Sequence, residues 1–194
     1  MRDIRPWTYA ALFGSLWGAV ELSLGTVLSA ARIPFAGLLM AAVGVLCLVT
    51  ARRLYPAVGM SLLMGVVAAF LKVFSLGGFV IGPMTGILAE ATVVELAMTA
   101  TGSTAAGAIT GGALALATAP LQQLLWVLVV VGGEGAAGWA RALSRVAALF
   151  GWRGSATLQL VLAFTGAAAL AGAVAGAFSW RVAGRVTRRL RGGT

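Results

Sequence analysis

The sequence predicts an all-α integral membrane protein, a six-transmembrane-helix bundle that forms a single domain over residues 1–194. Of its 194 residues, 60% are hydrophobic and only 10% are charged, a balance that the solvated surface of a globular domain does not have. The apolar residues form long runs without alternation, and in lipid only helices or closed barrels satisfy their backbone. At about 20 residues per crossing, the chain has room for six spans.

Six apolar runs define the predicted spans. They cover residues 8–30, 33–51, 57–74, 83–100, 108–131 and 155–178. The first has the interfacial aromatics Trp7 and Tyr9 at its start and contains Glu21, and it is too long for a cleaved signal peptide. The second ends at the basic pair Arg52 and Arg53.

Glycine, proline and arginine mark the later spans. The stretch SLGGFVIGP precedes span four, and Pro83 is expected as its first helical residue, because the missing N–H needs no partner there. Pro120 predicts a kink in span five. Between spans five and six, an apolar stripe opposite Arg141 and Arg145 predicts an outer interfacial helix. A basic cytoplasmic tail, residues 181–194, follows span six.

The arginines predict the orientation of the bundle. With six spans both termini share one side of the membrane, and nine arginines lie on that side against four on the other. The nine are Arg2, Arg5, Arg52, Arg53, Arg181, Arg185, Arg188, Arg189 and Arg191; the four are Arg32, Arg141, Arg145 and Arg153. The positive-inside rule then predicts a multi-pass protein of the cell inner (plasma) membrane with both termini in the cytoplasm. The net charge of +9 reflects these flanks, so we expect no nucleic-acid partner.

The residue types that are missing exclude several kinds of site. There is no histidine and a single cysteine, Cys47, which excludes disulfides and thiolate or imidazole metal sites. Five acidic residues are too few and too scattered for the carboxylate-rich sites of membrane enzymes, and a Ser–His protease pair is impossible. We therefore expect no catalytic activity, no metal and no cofactor.

Polar side chains inside the predicted spans are candidate substrate-binding residues, because a charge in a bilayer is costly unless it is paired or hydrated. Counted at about 1.5 Å per residue, such groups from five spans fall in the outer half of the membrane. They predict an outward-opening pocket beneath the glycine-rich loop, and they are Glu21, Lys72, Glu90, Gln122, Gln123, Trp126 and Gln159.

An alternative interpretation of these polar groups is structural. Glu21 or Glu90 would pair with Lys72 as a buried ion pair, and the glutamines would join helices by hydrogen bonds. Trp126 would be an interface anchor. Glu95 points about 140° away from Glu90 on a helix and is expected to pair with an arginine.

Span one also carries two parallel rows of small residues at four-residue spacing. One row is Ala10, Gly14 and Gly18, and its neighbour is Ala11, Ser15 and Ala19. Such rows let helices approach closely, and internal packing is their default explanation.

The whole chain resembles the S component of energy-coupling factor (ECF) vitamin transporters, the substrate-binding membrane subunit of these importers. The resemblance rests on the size, the six predicted helices with cytoplasmic ends, the small-residue row in span one and the outward loops. The stretches ALFGSLWGAVELSLG, SLLMGVVAAFLKVFSLGG and GPMTGILAEATVVEL resemble one subgroup of that family.

The resemblance implies that the chain captures a vitamin or vitamin precursor from outside and hydrolyses nothing itself. Its partners would be an ECF coupling transmembrane subunit and two cytoplasmic ATPase subunits. The docking face would be the row Ala10, Gly14 and Gly18 or the row Ala11 and Ser15, although glycines partly replace the family's paired alanines.

The resemblance also bears on the substrate. Family members that bind thiamine-like cations use an acidic residue in span four, a role that Glu90 would fill. An amine-bearing molecule with an anionic end would suit Glu21 and Glu90 together with Lys72, because opposite charges offset desolvation.

Two other functions stay open at this point. One is a proton-coupled secondary carrier in which Glu21 or Glu90 takes a proton. The other is a non-transporting membrane assembly subunit whose polar residues only join helices. Co-purification with a coupling subunit and ATPases distinguishes the ECF substrate-binding subunit from both of these alternatives.

Overall fold

The computed structural model describes residues 5–31, 36–75, 81–126, 129, 137–138, 141 and 156–192, and regular structure over these residues is helical throughout. The helices are α1 (Arg5–Val20), which continues through a π-helical turn (Glu21–Gly25) into α2 (Thr26–Ala30), then α3 (Ala36–Leu54), α4 (Met60–Lys72), α5 (Ile81–Ala100), α6 (Ala105–Trp126) and α7 (Ala156–Gly192).

Four described helical segments are long and apolar enough to cross a membrane. They are Arg5–Leu28, Ala36–Leu54, Ile81–Ala100 and Gln159–Arg189. The predicted all-helical fold is therefore confirmed over the described residues, and these four helices are compatible in length and composition with a membrane bundle. α6, with 22 residues, measures about 33 Å and also matches the thickness of the hydrocarbon core.

α4 is shorter than the predicted third span of residues 57–74. Its 13 residues extend about 20 Å, less than the hydrocarbon thickness of about 30 Å. The helix starts late because Gly59, at its N-cap, has a left-handed backbone with φ of 84°, which an α-helix does not continue through. α4 lies within the predicted third span but is shorter than it, so a full third crossing stays a prediction.

Two other boundaries differ from the predictions. α5 begins at Ile81, so Pro83 is its third residue rather than its first; the first four N–H groups of a helix lack intrahelical partners, so proline is accommodated there. The predicted basic tail is helical as far as Gly192. Its helix continues because Ala183 is fully buried and Arg53 of α3 donates a hydrogen bond to the carbonyl oxygen of Trp180.

α3 lies at the centre of the bundle and contacts α1, α4, α5, α6 and α7. Buried apolar side chains from five helices form one core around it, including Trp17, Leu48, Met64, Val94 and Leu116. This arrangement places the middle of α3 between the polar residues of α1 and those of α5.

Glycines allow two pairs of helices to pack at backbone distance. A Cβ built on Gly172 or Gly176 of α7 would overlap a backbone carbonyl oxygen of α6, at Gly112 and Ala108 respectively. On α1, a Cβ at Gly18 would lie 2.6 Å from a methyl carbon of Leu71 in α4. Close packing through small residues is the usual means by which helices associate in lipid.

The two small-residue rows of α1 therefore face in different directions. Ala10, Gly14 and Gly18 are buried, and their face packs against α4. Ala11 and Ser15 are exposed. The first row is filled by internal packing, so only the second row is accessible to another protein.

Several predicted features lie outside the described residues. They are the middle of the glycine-rich loop, residues 76–80, and most of the outer interfacial helix between spans five and six. The side chains of Gln123 and Trp126 also lie outside the described part of the chain.

Candidate functional site

Glu21 and Lys72 form a buried ion pair between the π-helical turn and the end of α4. The ammonium Nζ of Lys72 lies 3.1 Å from Oε2 of Glu21 and donates a second hydrogen bond, of 2.9 Å, to the carbonyl oxygen of the same residue. Glu21 is 8% exposed and Lys72 is 7% exposed. The pairing interpretation is thus the one observed for these two residues.

The π-helical turn provides the space that this ion pair occupies. A Cβ built on Gly25 would lie 3.2 Å from Oε2 of Glu21 and 3.3 Å from Nζ of Lys72, tighter than ordinary van der Waals contact. One turn of π-helix within an α-helix often occurs at a functional position. Here it brings the main chain and side chain of Glu21 to the same ammonium group.

Glu90 differs from Glu21 because one of its two carboxyl oxygens, Oε1, lacks a partner. It is 6% exposed, and its Oε1 has no hydrogen-bond partner among the described residues. Glu90 is the tenth residue of α5, about 14 Å from the start and 15 Å from the end of the helix. It therefore lies close to the middle of a membrane-spanning helix.

Trp17 of α1 shares this site with Glu90. The indole is fully buried, and its Nε1 also lacks a hydrogen-bond partner within the described part of the chain. Both side chains contact α3 at Gly44: a Cβ built there would overlap Oε1 of Glu90 and would lie 2.7 Å from Cζ2 of Trp17. Glu90, Trp17 and Gly44 are called the Glu90 site below.

The Glu90 site and the Glu21–Lys72 pair are neighbours. Glu21 is near enough to Glu90 for the two carboxyl groups to repel each other electrostatically. Because Lys72 is held by Glu21, the buried acid at Glu90 has no cation of its own among the described residues. The structure thus brings together three of the predicted charged residues but pairs only two of them.

The glutamines have different positions. Nε2 of Gln122 donates hydrogen bonds to the carbonyl oxygen of Gly82, at 3.0 Å, and to Oγ1 of Thr85, at 2.8 Å. It joins α6 to the first turn of α5, as the structural interpretation predicted. Gln159 is exposed at the start of α7.

Glu95 belongs to a separate cluster at the other end of α4. Its carboxylate accepts backbone hydrogen bonds from Gly59, at 2.7 Å, and Ser61, at 2.9 Å, and it lies 3.5 Å from Arg52. Thr99 donates a further hydrogen bond of 2.9 Å. The expected pairing with an arginine is confirmed, and the cluster caps the N-terminus of α4, whose N–H groups favour an anion.

Sequence reasoning did not identify Trp17 or Gly44. The position of Trp17 was a signal. Interfacial tryptophans lie near helix ends, whereas Trp17 is 12 residues into α1. It also precedes Glu21 by four residues, which places both side chains on the same helix face. No comparable signal marks Gly44, which is one of 27 glycines.

The chain was compared with protein-family models, curated proteins and solved structures. None of the three comparisons gave a match. The chemistry of the buried side chains therefore carries the functional interpretation.

Proposed function

We propose that this chain is the substrate-binding subunit of an ECF-type ABC importer that captures a vitamin or vitamin precursor. One observation supports this most directly: near the middle of a membrane-spanning helix, Oε1 of Glu90 has no hydrogen-bond partner and Glu90 has no paired cation among the described residues. A buried charge is costly when unpaired and is retained where it binds something. The second support is the sequence resemblance.

The unpaired atoms of the Glu90 site indicate the chemical class of the ligand. The carboxyl oxygen of Glu90 is an acceptor, and the indole Nε1 of Trp17 is a donor. A protonated amine next to a hydrogen-bond acceptor would satisfy both atoms, and its charge would neutralise Glu90. This fits the thiamine-like or amine-bearing substrate that the resemblance implies.

The anionic end expected of that substrate has less support. Lys72 is the residue predicted from the sequence to bind this anionic end. The ammonium group of Lys72, however, already contacts the carboxylate and the carbonyl oxygen of Glu21. Binding an anionic group there would require this pair to open. The proposed ligand is therefore defined by its amine.

The proposed partners are the coupling transmembrane subunit and its two cytoplasmic ATPases, and the chain itself performs no catalysis. Their docking face would be the exposed row Ala11 and Ser15, since Ala10, Gly14 and Gly18 pack against α4. The chain would lie in the inner membrane of the cell, with both termini in the cytoplasm.

Docking is tested by co-expressing the chain with a coupling subunit and ATPases and measuring co-purification. Ala11→Leu combined with Ser15→Leu should abolish co-purification, because leucines would separate the two helix surfaces. The matched control is Ala163→Leu with Ala167→Leu, an exposed pair at the same spacing on α7. Equal co-purification of both variants would exclude this docking face.

A second candidate is a proton-coupled carrier, because an unpaired buried carboxyl group is also what a proton site needs. The two functions differ in their source of energy. A proton carrier would transport its substrate in proteoliposomes that contain this chain alone, in response to a pH gradient. An importer subunit would transport it only with the ATPases and ATP.

A further inference from the structure

The C-terminal third of α7 carries an exposed stripe of arginines, here called the basic stripe. Its members are Arg181, Arg185, Arg188 and Arg189, and all four are exposed. At 100° per residue they fall within an arc of about 100° on the helix, and they extend about 12 Å along its axis. They therefore form one continuous charged surface.

The opposite side of the same helix is fixed by packing on α3. Ala183 and Gly184 are buried, and a Cβ built on Gly184 would lie 2.5 Å from a guanidinium nitrogen of Arg53. That guanidinium also lies 4.0 Å from the centre of the Trp180 ring. Because this face is held against α3, the direction of the basic stripe is fixed as well.

The charge of the basic stripe is not neutralised within the described residues. α7 contains no acidic residue, and the two ion pairs observed in the described part of the chain involve Arg52 and Lys72. Arg188 also adds to the positive potential at Arg53. The charge of the basic stripe is thus available to an anionic partner.

The length of α7 places the basic stripe next to the lipid headgroups. From Ala156 to Trp180 the helix rises about 36 Å, enough to cross the hydrocarbon core of about 30 Å. Trp180 is then at the interface, where tryptophan is enriched. Each headgroup layer is roughly 5–7 Å thick, so Arg181 and Arg185 lie within it, and the long side chain of Arg188 can reach back to it.

We infer that the basic stripe binds the phosphate groups of anionic phospholipids in the leaflet next to the end of α3. Guanidinium groups form paired hydrogen bonds to phosphate, and juxtamembrane arginine clusters attract anionic lipids. This site is separate from the Glu90 site and does not depend on the transport proposal.

The test is a titration of the full detergent-solubilised chain with phosphatidylglycerol and with phosphatidylcholine, followed by native mass spectrometry. At about fivefold per arginine, Arg181→Gln, Arg185→Gln and Arg188→Gln together should weaken phosphatidylglycerol binding roughly a hundredfold. Binding of phosphatidylcholine should not change. Unchanged binding of phosphatidylglycerol by this variant would overturn the inference.

Two control variants make the result specific. The first control combines Arg32→Gln, Arg145→Gln and Arg153→Gln, which removes the same charge from segments predicted to face outward. Binding of phosphatidylglycerol should not change in this variant. A loss of binding equal to that of the stripe variant would show an effect of net charge and overturn the proposed site. Arg181→Lys, Arg185→Lys and Arg188→Lys together keep the charge but not the paired hydrogen bonds, so binding should fall less than in the glutamine variant; a loss equal to that of the glutamine variant would overturn the charge-based explanation. Equal competition by soluble glycerol phosphate would overturn the assignment to lipid.

Discussion

Glu21 and Glu90 are two buried acids in different helical elements, and their surroundings differ. Glu21 is matched by the ammonium group of Lys72, which contacts its side chain and its carbonyl oxygen. Glu90 contacts α3 at Gly44, where the indole of Trp17 also packs. The first acid is therefore expected to stabilise the fold, and the second is the one to which we assign substrate binding in the proposed function.

Glu21→Gln should therefore destabilise the protein, while Glu90→Gln should not. Removing one partner of a buried ion pair leaves the other charge uncompensated and costs about 3–5 kcal/mol. Glu90→Gln removes a carboxyl group that has no cation, so the stability should be equal or higher. The free energy of unfolding of both variants can be measured in mixed micelles. A larger loss of stability for Glu90→Gln than for Glu21→Gln would reverse the two assigned roles.

The sequence predicted which acids and which lysine lie inside the membrane, because depth follows directly from the count of residues along a helix. It did not determine that Lys72 pairs with Glu21 rather than Glu90. Pairing depends on the rotation of α1, α4 and α5 about their own axes and on the π-helical turn. Neither is fixed by the hydropathy of the residues.

At the level of secondary structure, α4 depends on a carboxylate supplied by α5. Glu95 accepts the backbone N–H groups of Gly59 and Ser61 while it pairs with Arg52 of α3. One side chain thus connects three helices. This explains why α4 begins at Met60, which neither the apolar run nor Gly59 alone could predict.

A double-mutant cycle on Arg52→Gln and Glu95→Gln should show strong coupling. Each single variant leaves a buried charge unpaired, so the double variant should be less destabilised than the sum of the two. The coupling energy should reach about 1–3 kcal/mol, measured by unfolding in mixed micelles. Additive effects would mean that the two residues stabilise the fold independently.

Glycines in α7 offer a matched comparison of packing. A Cβ on Gly176 would overlap the carbonyl oxygen of Ala108, whereas one on Gly166 meets nothing within 4 Å. Gly176→Ala should therefore cost about 1–3 kcal/mol through overpacking. Gly166→Ala in the same helix should be neutral or stabilising by up to about 1 kcal/mol, from helix propensity. Equal thermal stability of the two variants would contradict the close α6–α7 contact.

For the whole molecule, composition and the long apolar runs without alternation were sufficient to predict a helical membrane bundle, because the strands of a transmembrane barrel alternate apolar and polar residues. The lengths of two helices were not predictable in the same way. Gly59 and Glu95 determine where α4 begins, and packing of Ala183 and Gly184 on α3 continues α7 beyond the apolar run. Both depend on residues distant in the sequence.

The arginine distribution predicts one orientation for the whole molecule. In a Cys47→Ala background, single cysteines at Arg2 and at Thr194 should be protected from a membrane-impermeant maleimide in intact cells and labelled in inverted vesicles. A cysteine at Gly138, in the predicted outer segment, should show the opposite pattern. Labelling of the two termini from opposite sides would mean an odd number of spans.

The most direct measurement is the identification of small molecules released from the purified, denatured protein by mass spectrometry. We expect one amine-bearing, vitamin-like compound from the wild-type chain, reduced at least tenfold by Glu90→Gln because the cation loses its carboxylate. Gly44→Ala should have a similar effect, because its Cβ takes the space of the carboxyl group, and Gly166→Ala should retain the compound. If Glu90→Gln retains the same compound at the wild-type amount, Glu90 does not bind the substrate. If the wild type releases nothing and no vitamin alters its thermal stability, the chain is not a binding subunit.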